Sequence, residues 1–185
     1  MTVRTAKEAY AEILGRAPEH DLVPSLDRIR VVCELLGDPQ KAFRVVHLTG
    51  TNGKTSTTRM VERLLREHGL RTGRFVSPHL QDVRERIALD GEPLSPERFV
   101  EVYEEVLPYV DVVDARSAEH GEPRMTFFEV LVAMAYAAFA DARIIAFRQA
   151  RDEFMAIGGA RGGHHFLLGG VEPAVEDVLP DGAIE

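Results

Sequence analysis

Apolar positions along the chain follow two periods, one near 3.6 residues and one near 2, and the switches between them mark the elements. Ala6, Ala9, Tyr10, Ile13 and Leu14 share one face of a predicted helix over 5–14, with a loop over 15–24 behind it. Leu26, Ile29, Val32, Cys33 and Leu36 make a second helical stripe, with Ser25 as its N-cap and Gly37-Asp38-Pro39 as its stop. The β-branched run Arg44 to Leu48 predicts a short buried strand. A loop with Gly50 and Gly53 follows, and then a helix over 54–68 with Val61, Leu64 and Leu65 inward and Gly69 at its C-cap. Residues 71–76 form a second strand. Residues 84–89 alternate like a strand and end at the hairpin signal Asp90-Gly91.

Ser95-Pro96 opens a helix whose Phe99, Val102 and Val106 face inward until Pro108, and 111–124 is an exposed connection. Thr126 opens the most hydrophobic helix, running to about Ala140 and apolar nearly all round, hence buried. Strands alternating with helices give an α/β fold with a mostly parallel sheet.

The 185 residues suffice for one domain with a real core and are too few for two full ones. A net charge of −8 argues against a nucleic-acid surface, which needs clustered positive charge. The run Val130 to Ala140 is shorter than the ~20 residues of a membrane span. The polar, charged N-terminus carries no signal-peptide pattern, so a cytoplasmic protein is expected. Cys33, the single cysteine, excludes an internal disulfide and reads as a small buried hydrophobe.

Chemistry concentrates in Gly50-Thr51-Asn52-Gly53-Lys54-Thr55-Ser56, between the first strand and its helix. A glycine loop leading into a helix N-terminus turns backbone N–H groups toward a phosphate. Lys54 reaches the outer phosphates and the Thr55 hydroxyl can face Mg²⁺. The strict P-loop pattern requires glycine where Leu48 stands, so the motif is a shorter variant, and a plain strand-to-helix turn carrying a lysine is the bland alternative. Thr126-Phe127-Phe128-Glu129 is a capping box, complete without any further role. Ser77-Pro78 by itself only starts a turn.

Gly-Thr-Asn-Gly-Lys-Thr resembles the phosphate loop of the ATP-dependent amide ligases that build peptidoglycan peptides and folate polyglutamates. Phe75-Val76-Ser77-Pro78-His79-Leu80, followed by Val83-Arg84-Glu85-Arg86-Ile87, resembles the corresponding loop and strand of folylpolyglutamate synthase/dihydrofolate synthase, over about 24–141. The resemblance implies the N-terminal part of a P-loop, Mur-ligase-like ATPase domain over 1–142, truncated. It implies ATP, Mg²⁺, pteroate or folate and L-glutamate as ligands, and a monomer in the complete protein. Thr51, Asn52, Gly53, Lys54, Thr55 and Ser56 would bind ATP, with Lys54 catalytic. Thr55 and Ser77 would hold Mg²⁺. Ser25, Leu26, Asp27 and Arg28, with Thr126, Phe127, Phe128 and Glu129, would bind pteroate or folate, an aromatic ring lying against the pterin and the carboxylate accepting from ring N–H donors. His79 has no orienting carboxylate in the sequence and is given no catalytic role.

After Asp141 the family continues with a buried strand ending in Glu-Val-Gly-x-Gly-Gly-Arg-x-Asp, which supplies a metal-binding glutamate; this chain does not. Residues 143–157 are compatible with an amphipathic helix, and Gly158-Gly159, Gly162-Gly163 and Gly169-Gly170 make the rest turn-rich. His164-His165 has no flanking ligands. The 143–185 tail is expected to be a replacement, by frameshift, gene-model error or recombination, that leaves an open sheet edge and a poorly stable half-domain. Alternatives are a non-catalytic nucleotide- or pterin-binding fragment and a peptidoglycan-type amino-acid ligase; the Ser77–Leu80 and Glu85–Ile87 stretches argue against the latter.

Overall fold

The computed structural model describes residues 4–17, 26–48, 52–142, 145–149 and 167–168, the last two segments as strand backbone. Ser25, Gly50, Thr51 and most of the glycine-rich tail lie outside the described residues. The elements are α1 (Ala6–Leu14), α2 (Asp27–Leu35), β1 (Val45–Leu48), α3 (Lys54–Glu67), β2 (Thr72–Phe75), β3 (Ile87–Leu89), β4 (Glu92–Pro93), α4 (Pro96–Glu119), α5 (Phe127–Ala142), β5 (Ile145–Gln149) and β6 (Leu167–Leu168).

One sheet carries all the described strands in the order β4-β3-β2-β5-β1-β6. Its centre is parallel: β5 lies between β1 and β2 and runs with both, so Ala146 sits opposite Val45 on one side and Gly73 on the other. The outer strands β3, β4 and β6 are antiparallel additions. Asp90 and Gly91 turn β3 into β4 with φ of 49° and 86°, the two positive angles of a type I′ hairpin.

The central strand is where the expected amphipathic helix over 143–157 fails. Ile144-Ile145-Ala146-Phe147 is a β-branched and aromatic run, and β1 and β2 each offer it an unpaired edge. Tertiary pairing overrides the helical periodicity, and the gap expected in the sheet is filled.

α4 also departs from expectation. It runs through Pro108 to Glu119; Val110 is buried just beyond the proline, and Val113 and Ser117 are buried in what reads as an exposed connection. An interior proline costs about 3 kcal/mol, whereas burying two valines returns about 1.5–3 kcal/mol each. The 3₁₀ turn Val83–Arg86 likewise replaces the first half of the expected strand over 84–89.

α5 is sandwiched between the sheet and α1, α2 and α4, which accounts for its all-round apolar sequence; twelve of its residues, Phe127 to Ala135 and Ala137 to Phe139, are buried. α3 covers the opposite face, and its inner side is polar. Thr58 and Glu62 are buried there while Leu64 is 61% exposed and Val61 and Leu65 are half-buried, contrary to the expected apolar stripe. The reason lies on β2, whose alternation sends Arg74 toward α3; its Nε donates to Glu62 Oε2 at 2.7 Å. No described helix is long and apolar enough to cross a membrane.

Candidate active site

β1 and β2 both run with β5, so their carboxyl ends reach the same edge of the sheet, where ligands of α/β folds collect. From β1 the chain leads to Gly53, whose φ of 74° starts α3 from the left-handed region. Among the described residues other than its chain neighbours, no atom lies within 4 Å of where a Cβ would stand, so it is the backbone conformation that calls for glycine there. The first N–H groups of α3 therefore face that edge, ready for an anion. Lys54 and Thr55 are half-buried at this terminus; Asn52 and Ser56 are exposed, and Thr51 lies outside the described residues. β5 separates this loop from the loop after β2 by two strand spacings, about 10 Å.

The loop after β2 is held by one side chain that the sequence reading gave no role. Arg86 donates from Nε to His79 Nδ1 at 2.9 Å and from Nη1 to Ser77 Oγ at 3.3 Å. Its guanidinium also lies 4.9 Å from the centre of the Phe127 ring, a cation–π contact. An arginine can only donate, so His79 Nδ1 accepts, and its Nε2 is 3.5 Å from the Tyr10 hydroxyl. Ser77, Arg86 and Phe127 are all buried. Glu85 braces the same loop from outside, accepting from the N–H groups of Leu80, Gln81 and Asp82 at 2.9, 3.1 and 3.0 Å. These backbone donors, that of Leu80 foremost, hold its carboxyl below the usual range. Asp82 is held low first by the hydrogen bond from Arg84.

The capping box of α5 is present: Thr126 N–H donates to Glu129 Oε2 at 2.7 Å and Glu129 N–H to Thr126 Oγ1 at 3.1 Å. Glu129 does more than cap. Arg28 from α2 donates Nε to Oε2 at 3.2 Å and sets Nη2 3.1 Å from Oε1, with both residues buried. The two stretches expected to share a ligand, near 25–28 and 126–129, are therefore joined, but largely to each other. Three of the carboxylate's roughly four acceptor positions are spent inside the protein.

Within those stretches the residues part company. Phe127 faces Arg86, and Phe128 packs against Phe75 at 5.6 Å and lines a cavity of about 180 Å³ with Leu26, Ile29, Cys33, Gln40 and Glu129. Asp27 is directed outward, its side chain 82% exposed beside Arg30. α2 starts from Leu26 with no side-chain cap, and Ser25 lies outside the described residues.

For Mg²⁺, the Thr55 and Ser77 hydroxyls are hard oxygen donors that fit as two of six ligands beside nucleotide oxygens and waters. Arg86 occupies one lone pair of Ser77 Oγ and leaves the other. No cluster of three or more His, Cys, Asp or Glu suited to a metal occurs among the described residues. At the carboxyl end of β5, midway between the two loops, the chain carries Arg148 and Gln149.

The chain is 50% identical over 132 residues to dihydrofolate synthase/folylpolyglutamate synthase of Mycobacterium tuberculosis, covering 70% of this chain and 27% of that protein. Its fold matches a crystal structure of Mycobacterium tuberculosis folylpolyglutamate synthase complexed with ADP and AMPPCP, with a TM-score of 0.69, 43% identity and coverage of 78% of this chain and 32% of that one. An FPGS–AMPPCP–folate complex matches with a TM-score of 0.70 at 28% identity, over 79% of this chain and 35% of that one. The chain thus spans about three tenths of the length of these relatives. No family model matches it.

Proposed function

We propose that this chain, which matches folylpolyglutamate synthase/dihydrofolate synthase over about 70% of its length, supplies the nucleotide and pteroate half-sites of an ATP-dependent ligase of that family. The reaction would pass the ATP γ-phosphoryl group to a pterin-bearing carboxylate, and the amine of L-glutamate would then displace phosphate from the acyl phosphate. Such chemistry is chiefly positioning and charge neutralisation. Lys54 would neutralise the β and γ phosphates, while the N–H groups of Asn52, Gly53 and Lys54 cradle them. Thr55 and Ser77 would hold Mg²⁺, which when bound offsets phosphate charge. Thr126 to Glu129, with Leu26 and Arg28, would place the pteroate, Glu129 acting mainly by fixing Arg28 and the start of α5. The protein would act in the cytoplasm as a monomer.

The observation that carries this reading is Arg86. One buried side chain touches both Ser77 Oγ, the candidate metal ligand, and the Phe127 ring at the start of the candidate pteroate helix. The acceptor carboxylate and the nucleotide would then meet across a single guanidinium. The test is glutamate-dependent ADP release by a full-length version that contains this segment, with pteroate and a uridine-nucleotide-linked muropeptide compared as acceptors. Release with pteroate, abolished by Lys54→Ala without loss of fold, is the expected result, while the short chain alone, an incomplete fragment, should release none; release only with the muropeptide overturns the folate assignment.

A second reading is supported by the carboxyl end of β5, where Arg148 and Gln149 stand and the resemblance implies a metal-binding glutamate. The chain would then bind nucleotide and pteroate without turning them over. Binding of both ligands with no ADP release distinguishes it.

A further inference from the structure

His79 is half-buried in the loop after β2, between side chains that two other segments bring to it. Arg86 Nε donates to its Nδ1 at 2.9 Å, and its Nε2 lies 3.5 Å from the Tyr10 hydroxyl on α1. The Tyr10 ring meets the imidazole edge-on, with centroids 6.1 Å apart, and meets Phe127 in the same way at 6.4 Å. The two polar contacts fix the orientation of the imidazole. Turned over about Cβ–Cγ, it would set one C–H against the guanidinium and another against the hydroxyl. A guanidinium has no acceptor, so Nδ1 is bare and the ring hydrogen is on Nε2, where the tyrosine oxygen can take it.

Arg86 depends on that acceptor. The residue is buried, and the single hydrogen of its Nε is spent on His79. With Nε pinned, the plane of the guanidinium is set: Nη1 comes to 3.3 Å from Ser77 Oγ, and the face lies 4.9 Å from the centre of the Phe127 ring. A buried N–H deprived of its acceptor is costly. Without His79, Arg86 would turn toward another acceptor and leave Ser77.

We propose that His79 is a positioning residue: as the Nε2–H tautomer, braced by Tyr10, it holds Arg86 in the orientation that fixes the Ser77 hydroxyl for Mg²⁺. It acts only through Arg86. The inference rests on the reading of Ser77 as a metal ligand given above, and it ties α1 to the nucleotide half-site.

The experiment titrates Mg²⁺ against binding of a fluorescent ATP analogue by a full-length version that contains this segment, in the native form and as His79→Leu, His79→Asn and Ser77→Ala. Leucine fills part of the ring's place with no acceptor, whereas asparagine carries its amide oxygen on the same atom as Nδ1. His79→Leu should raise the half-saturating Mg²⁺ concentration by about tenfold, the worth of one hydrogen bond to a charged group. Ser77→Ala should raise it too, and His79→Asn should restore the native value. An unchanged Mg²⁺ midpoint in His79→Leu, with Ser77→Ala shifted, overturns the role of His79 while the metal reading stands. A His79→Asn midpoint as high as that of His79→Leu overturns it as well, because the acceptor is then not what matters. An unchanged midpoint in Ser77→Ala overturns the metal reading and this inference with it. Should His79→Leu fail to fold, nitrogen NMR of the native imidazole decides: a hydrogen on Nδ1 overturns the proposal, and a bare Nδ1 with restored binding in His79→Asn upholds it.

Discussion

Replacing Glu129 by glutamine tests how the two halves of the candidate pteroate site are held together. The side chain keeps its length, and its amide oxygen can still accept from Thr126 N–H, so the cap of α5 survives. The loss falls on Arg28, whose Nε and Nη2 lie 3.2 and 3.1 Å from the carboxylate oxygens and would face a neutral amide that brings its own donors. Both residues are less than a tenth exposed. Removing one member of a buried ion pair strands the other charge and costs about 3–5 kcal/mol, a large share of the ~5–15 kcal/mol that stabilises a typical domain. Thr126→Ala, which removes only the cap, should cost about 1 kcal/mol. In urea, with a slope near 2 kcal/mol per molar, Glu129→Gln should lower the midpoint by about 1.5–2.5 M at unchanged slope. Arg28→Met should rescue part of that loss in the double variant, since no guanidinium is then left unpaired. A midpoint shift below about 0.5 M for Glu129→Gln would refute the reasoning, because the pair would then be worth no more than a surface contact.

Gly53→Ala should weaken binding of a fluorescent ADP analogue by about tenfold, because a left-handed alanine costs about 1–2 kcal/mol at the N-terminus of α3 and nothing else is crowded; unchanged affinity would remove that terminus from the nucleotide site. Glu85 has a lowered folded pKa, so its bracing of the Ser77–Asp82 loop is fully present above the ordinary glutamate value of ~4.3 and is lost as pH falls through the lower folded value. The amide resonances of Leu80 and Gln81 should shift across that window in the native chain and stay flat in Glu85→Gln. Tyr103 is pushed up to about 12 by burial, then by its hydrogen bond to Glu12. Its contribution is therefore present below the ordinary tyrosine value of ~10 and lost as pH rises through about 12. Absorbance at ~295 nm should show this late-titrating phenol, absent in Tyr103→Phe.

Much of this was legible in the residues themselves. The Gly53 start of α3, the Asp90-Gly91 hairpin, the Ser95 cap and the Thr126–Glu129 box are local devices, each written within four residues and each present. What the sequence hid depends on distant partners. Arg86 reads as one more charge in Arg84-Glu85-Arg86, and only the fold turns it back onto Ser77, His79 and Phe127. Glu62 reads as the polar face of α3 until Arg74 arrives from β2. Strand β5 lies in a stretch with helical periodicity, and its pairing on both sides decides its state. Pro108 reads as a stop because local cost is visible in sequence, whereas the burial of Val110 and Val113 that outweighs it is not.

The position of β5 also sets a timetable. β1 and β2 are neighbours in sequence but not in the sheet, and neither can complete its pairing until residues 145–149 have left the ribosome. About 70 residues separate the end of β2 from the start of β5. At roughly 5–20 residues per second, translation leaves the β5-facing edge of β2 bare for roughly 4–14 seconds, and that of β1 for longer. During that interval β2 can pair with β3 alone, and the apolar side of α5 emerges before the sheet it covers is closed. The nascent chain is thus most exposed to chaperones, and to neighbouring polysomal chains, just before its latest central strand is made.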